Sequence, residues 1–252
     1  MNYNPYAPPQ AQSPSPAPGP IFGGAPQPWN ASQVLSIAWS RFKDVWPVVI
    51  GAYVVQTVIV GLIGQIPSLI QLAKPDPWVL IVAFVVTLVA NQLLAAFLQV
   101  GFTRILLEAS RGGKPVFATL FSGADRYLPA LGCTLLLGLT VLVGTLCLIV
   151  PGIILGLGLG FGVYYVVDAN MGPVQALQAS WEATRGKKGE IFVLGLLGLL
   201  VNLAGLAACC VGLLASVPLY MLAFTVAFTR ASGRAPMAAP GEPGFDSPAL
   251  GS

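Results

Sequence analysis

The sequence predicts an all-α membrane protein of six transmembrane helices, arranged as three hairpins that are each preceded by a cytoplasmic interfacial amphipathic helix. Three observations carry this prediction. Only 8% of the 252 residues are charged while 56% are hydrophobic, against roughly 25% charged in a soluble domain. The charges leave four long runs empty, and the basic residues collect on one side of the threading those runs imply.

The first 29 residues hold nine prolines among Gln, Ser, Ala and Gly, a composition that buries too little surface to offset the entropy of ordering. Residues 1–29 are therefore expected to be a disordered, Pro-rich cytoplasmic tail, with residues 231–252 as a second tail around a membrane domain at 30–230. No signal peptide is expected, because the first 40 residues lack Lys and Arg and the first long apolar run begins near Trp46.

Uncharged runs of 29, 27, 41 and 39 residues start at Val45, Pro77, Tyr127 and Ile191. A spanning helix needs about 20 apolar residues, so the first two runs hold one span each and the last two hold two. Pro151-Gly152 marks a turn within the third run, and the fourth divides near Cys209 to Gly212. The resulting spans are about 47–66, 78–102, 128–150, 153–167, 191–208 and 213–229.

Orientation follows from the basic residues, which favour cytoplasmic loops. Six spans place Arg41, Lys43, Arg104, Arg111, Lys114, Arg126, Arg185, Lys187, Lys188, Arg230 and Arg234 on one side and Lys74 alone on the other. Both termini are thereby assigned to the cytoplasm of a bacterial inner membrane.

Three segments on that side have helical amphipathic spacing. The first sets Leu35, Ala38, Trp39, Phe42 and Trp46 against Gln33, Ser36, Ser40 and Lys43. The second opens at Pro115 and sets Phe117, Leu120 and Phe121 against Thr119 and Ser122. The third opens at Pro173, sets Val174, Leu177 and Trp181 against Gln175, Gln178, Glu182 and Arg185, and stops at Gly186. Gln33 and Gln175 are each followed six residues later by a tryptophan, which points to one unit used three times.

The chemistry is sparse. With no histidine and no carboxylate inside a span, a catalytic triad, a zinc site and a glycosidase pair are not expected. The protein is read as non-enzymatic, with no cofactor or metal, no catalytic residue and no nucleic-acid face. Cys133, Cys147, Cys209 and Cys210 all fall in apolar runs and read as small hydrophobic residues. Gln56, Asn91, Gln92 and Asn202 form a candidate polar midplane, either lining a path for a small solute or hydrogen-bonding between helices. Gly156, Gly158, Gly160 and Gly162 alternate along the fourth span and give it two small faces for close packing, which makes it central to the bundle. Asp168, at that span's cytoplasmic end, is expected to stay hydrated or to pair with a nearby Arg or Lys. Expected partners are membrane lipids and a protein bound through the Pro-rich tail.

The runs Val150-Pro151-Gly152-Ile153-Ile154, Tyr165-Val166-Val167-Asp168, Met171-Gly172-Pro173-Val174-Gln175-Ala176-Leu177 and Ser180-Trp181-Glu182-Ala183-Thr184-Arg185-Gly186 carry a resemblance. Over residues 30–230 the chain resembles bacterial six-span integral membrane proteins related to the membrane domain of some glycerophosphoryl diester phosphodiesterases. Those proteins commonly have an Arg soon after the Pro-Gly turn, where this chain has its glycine run, and the soluble phosphodiesterase domain has no counterpart here. The resemblance implies a fold and an inner-membrane address. It carries over no activity. Function is left between a membrane-organising or accessory protein and a permease or exporter-like protein for a small solute.

Overall fold

A computed structural model describes residues 28–73, 76–207 and 212–234, all of whose regular structure is helical. The four-residue gap contains Cys209 and Cys210, and most of both tails also lies outside the described residues. Helix α1 spans Ala31–Gly64 and bends at Gln65 into the short α2, Ile66–Leu72. Helix α3 spans Pro77–Ser110 and α4 spans Tyr127–Cys147. They are followed by α5 at Ile149–Leu159, α6 at Gly162–Asp168, α7 at Pro173–Ala183, α8 at Lys188–Ala207 and α9 at Leu213–Ala231. Six of the helical segments are long and apolar enough to cross a bilayer, with mean hydropathy from 1.5 to 2.4. Their outward faces expose residues such as Leu62, Phe84, Leu139, Leu146 and Leu199, an apolar surface that water would not tolerate. This is a multi-pass membrane protein.

Four local expectations need correction. The first amphipathic segment and the first span are one helix of 34 residues, because nothing between Lys43 and Val48 except Pro47 interrupts it, and spanning helices tolerate an internal proline. At about 1.5 Å per residue, α1 and the equally long α3 reach roughly 50 Å, well beyond the ~30 Å hydrocarbon layer. The buried stripe of α1 is Val34, Ile37, Ala38, Phe42, Val45 and Val49, whereas Trp39 and Trp46 are half exposed. Lys43 lies over the Trp39 ring at 5.4 Å.

The second amphipathic segment forms two 3-10 turns, Phe117–Phe121 and Gly123–Asp125, instead of an α-helix. Its backbone is pressed onto α3, where the Leu120 carbonyl occupies the place of a Cβ on Gly101 and the Phe97 carbonyl that of a Cβ on Gly123. Arg104 fixes the same turns by donating to the Ser122 carbonyl and to both Asp125 carboxylate oxygens.

The turn expected at Pro151-Gly152 falls earlier, at the extended Leu148. Pro151 sits in the first turn of α5, where a missing N–H leaves no intrahelical bond unmade. Gly152 instead lets α5 approach Thr145 of α4 closely. Finally, the fourth span is not continuous, since the helix stops at Leu159 and resumes at Gly162.

Burial is strongly uneven. The core gathers residues 31–52 of α1, 96–110 of α3, 161–167 around α6 and 216–231 of α9. In α9, 61% of the apolar stretch is buried, against 44% across α5 and α6 and 11% in α1 and in α3. The last helix, rather than the glycine-rich fourth span, is therefore the central one.

The same end of the bundle collects the charges, with Asp76 the exception among the described residues. Asp168, at the end of α6, accepts from Arg111 at 2.7 Å and from Arg234 at 2.8 Å, tying the ends of α3, α6 and α9 together. The first N–H of α1, on Ala31, donates to Glu190 of α8 at 3.0 Å, a negative charge placed where the helix dipole favours one. Trp29, assigned by composition to the tail, is 1% exposed and packs beside Ala183 and Ala231.

Replacing Asp168 with Asn leaves two partly buried guanidiniums sharing a neutral acceptor. The expected cost is about 2 to 4 kcal/mol, below the usual loss for a fully buried pair because both arginines retain some exposure. Chemical unfolding in detergent measures it. Asp125→Asn breaks an exposed pair and costs about 1 kcal/mol or less. The Arg104 hydrogen bond holds the Asp125 carboxyl below the usual carboxylate range, so its contribution is complete above the ordinary value. It fades as pH falls through the lowered one, and wild type and Asp125→Asn converge in acid.

Candidate functional site

The break in the fourth span is built jointly by α5, α6 and α7. Ending α5 at Leu159 frees backbone groups that no lipid can satisfy. The hydroxyls of α7 supply the partners: Ser180 and Thr184 donate to the Gly158 carbonyl at 2.9 and 3.0 Å, and the Phe161 N–H donates to Ser180 Oγ at 3.1 Å. Both hydroxyl residues are fully buried. Four residues apart on one helix face, they reach the break together. Between them in sequence, Trp181 lies against the Cα of Gly158, and Lys188 Nζ stands 3.2 Å from its ring centroid.

Two hollows flank the broken span. On its outer side, α4, α5 and α7 enclose a groove of about 690 Å³ with a largely apolar lining that includes Leu136, Leu155, Leu159, Val174 and Trp181, and with Gln178 and Glu182 on α7. On its inner side, α3, α4, the break and α9 surround a cavity of about 260 Å³ lined by Gln99, Thr103, Thr134, Gly160, Tyr164, Tyr220 and Phe224 among others. No group of three or more metal-ligating side chains occurs among the described residues.

The carboxamides singled out from the sequence do not converge. Asn91 of α3 faces Gly64 of α1, where an added Cβ would stand 3.8 Å from its Nδ2, and the Tyr53 and Phe102 rings lie tilted at 6.3 Å further along the same antiparallel pair. Gln56, eight residues from Gly64, is therefore about 12 Å from the Asn91 level. Each keeps a buried side-chain oxygen without a partner among the described residues, Oε1 in Gln56 and Oδ1 in Asn91. Gln92 is exposed on the outer surface. Asn202 is engaged locally, accepting from Ser216 Oγ at 2.8 Å and donating to the Gly198 carbonyl at 2.9 Å.

The four glycines also separate. Gly158 faces Trp181, Gly160 faces Phe224 of α9, Gly162 faces Leu177 and Cys133, and Gly156 meets only Val141 at ordinary contact distance. Cys133 is buried and Cys147 exposed. Sequence reading passed over Gln99, Thr103, Thr134, Tyr164 and Tyr220, which lie scattered over four helical segments. No sequence signal groups them, since they stand from one to ten residues from the nearest charge at the end of their helix.

A Cβ at Gly158 would stand 2.5 Å from the Trp181 ring, whereas one at Gly156 meets nothing closer than 3.9 Å. Gly158→Ala is expected to lower stability by about 1 to 3 kcal/mol through overpacking. Gly156→Ala is expected to be neutral or to gain up to about 1 kcal/mol from helix propensity. Thermal unfolding in detergent distinguishes the two.

No family model matches the chain, and no solved structure matches it. Over 140 residues, 56% of its length, it is 28% identical to the uncharacterized protein Mb2590 of Mycobacterium bovis. Over the same length it is 28% identical to the uncharacterized protein MT2637 and 27% identical to the uncharacterized protein Rv2560, both of Mycobacterium tuberculosis. The match spans 43% of each of these mycobacterial proteins, less than half their length. None of the three names connects them to glycerophosphoryl diester phosphodiesterases.

Proposed function

We propose that the protein is a non-enzymatic organising or accessory component of the bacterial inner membrane that holds a membrane lipid against its broken fourth span. The observation that carries this reading is the groove between α4, α5 and α7. Its walls are mostly leucine and valine, with Gln178 and Glu182 on α7, and Trp181 with Lys188 marks the level at which an aromatic ring and a cation meet lipid headgroups. In this reading α7 lies in the interface and the spans form three hairpins with both termini in the cytoplasm. The amino-terminal part of α1 and the turns at 117–125 take the corresponding places before the other two hairpins. No cofactor is required, and a protein partner for the Pro-rich tail fits the same accessory role. The competing permease reading draws its support from the inner cavity rather than from Gln56, Asn91, Gln92 and Asn202.

Native mass spectrometry of protein extracted in a mild detergent tests the lipid reading. Wild type is expected to carry phospholipid, and Val174→Trp, which fills the groove, is expected to reduce the lipid-bound fraction several-fold while Asn202→Leu leaves it unchanged. Equal lipid retention in Val174→Trp and wild type would contradict the assignment. Cysteines introduced for labelling at Lys114 and Lys187 are expected to be reached only from the cytoplasm, and one at Lys74 only from outside.

A further inference from the structure

The inner cavity, mostly apolar like the groove on the other side of the break, differs in carrying no charged side chain. One wall is aromatic, with the Tyr164 and Tyr220 rings 5.9 and 6.3 Å from Phe224. The opposite wall is polar, with the carboxamide of Gln99 and the hydroxyls of Thr103 and Thr134. Gln99 forms no hydrogen bond among the described residues. Thr134 Oγ1 donates to the Ala130 carbonyl at 2.9 Å, which leaves its lone pairs available. Thr225 Oγ1 donates to the Met221 carbonyl at 2.8 Å and lies 3.3 Å from Tyr164 Oη, whose proton it can accept.

These groups lie inside the membrane domain. Thr103 is one residue and Gln99 five from Arg104, Thr134 eight from Arg126, Tyr164 four and Gly160 eight from Asp168, and Tyr220 ten from Arg230, which at about 1.5 Å per residue spreads them from the charged layer to roughly 15 Å within it. By the pairing of Tyr53 with Phe102, Gln56 and its unpartnered Oε1 fall level with Gln99 on the neighbouring helix. None of the lining residues carries a charge, so an ion entering the cavity would lose its hydration with no counter-charge to replace it.

We infer that this cavity is a binding site for a small neutral solute bearing hydroxyl or carboxamide groups. Its polar face is held by Gln99, Thr103 and Thr134, and its apolar face rests on Tyr164, Tyr220 and Phe224. The volume of about 260 Å³ falls just under the range of roughly 300 to 1,000 Å³ usual for small-molecule pockets. The occupant is accordingly smaller than a typical cofactor. The inference stands apart from the lipid reading, since it concerns the opposite face of the span.

Cysteine reactivity in lipid nanodiscs tests it. Thr134→Cys and, separately, Gln99→Cys are made in the full chain with its four native cysteines replaced by alanine, and each is checked for a single gel-filtration species. Leu139→Cys, on the lipid-facing side of α4, is the control. The cysteine thiolate, which forms only where water reaches, attacks the sulfenyl sulfur of a methanethiosulfonate, forming a mixed disulfide and releasing methanesulfinate. Both cavity cysteines are expected to react with the neutral methyl reagent at least tenfold faster than the control and at least tenfold faster than with its sulfonate-bearing analogue. Glycerol or acetamide at 0.1 M is expected to slow that labelling at least twofold. Reaction no faster than the control, equal reaction with the charged reagent, or no protection by either solute would overturn the proposal. If Thr134→Cys fails to fold, Gln99→Cys gives the same readout.

Discussion

A single carboxylate, Asp168, shared by Arg111 and Arg234, is the constraint around which the rest of the molecule is arranged. Helices in a bilayer gain no hydrophobic free energy by touching each other, because lipid tails are as apolar as leucine. Association must come from close packing and from polar links. The charged end supplies both: the ion-paired triad joins three helix ends, Glu190 caps α1, and Trp29 is buried there. The uneven burial follows, with the core close to these links and the outer halves of the helices left to lipid.

Further from the charged end, contact is made pairwise and by small residues. Gly144 and Gly152 bring α4 and α5 together, and Gly205 and Gly212 do the same for α8 and α9. The broken fourth span falls between these two regimes. Its lower half belongs with α4 at the lipid-facing end, and its upper half belongs to the core. The hydroxyls of Ser180 and Thr184 satisfy the backbone at the break, and the break in turn separates the groove from the inner cavity.

Much of this was legible in one dimension. Runs without charge located the membrane segments, and the side-by-side alternation of basic residues matched the end at which the structure gathers them. Asp168 was expected to stay hydrated or to pair with a nearby Arg or Lys, and it pairs with two arginines. What could not be read depends on contacts between distant segments. The break at Gly160 and Phe161 needs the α7 hydroxyls in place, so alternating glycines alone looked like a continuous packing helix. Pro151 looked like a turn because its place in the first turn of α5 shows only once Leu148 is known to be extended. The carboxamides drew attention by residue type, yet Gln56 and Asn91 lie at different levels, while Gln99, Thr103 and Thr134 meet only because α3 and α4 are neighbours.

The central claim is that the helices are held to one another at the charged end and that the opposite end is held mainly by lipid. Pulsed electron paramagnetic resonance on spin-label pairs in nanodiscs measures this most directly, with one pair at Lys114 and Lys187 and another at the exposed Leu72 and Leu148. The expected result is a narrow distance distribution for the first pair and a broad one for the second, with the first broadening when Asp168 is replaced by Asn. A second pair as narrow as the first, or a first pair indifferent to Asp168→Asn, would contradict the account.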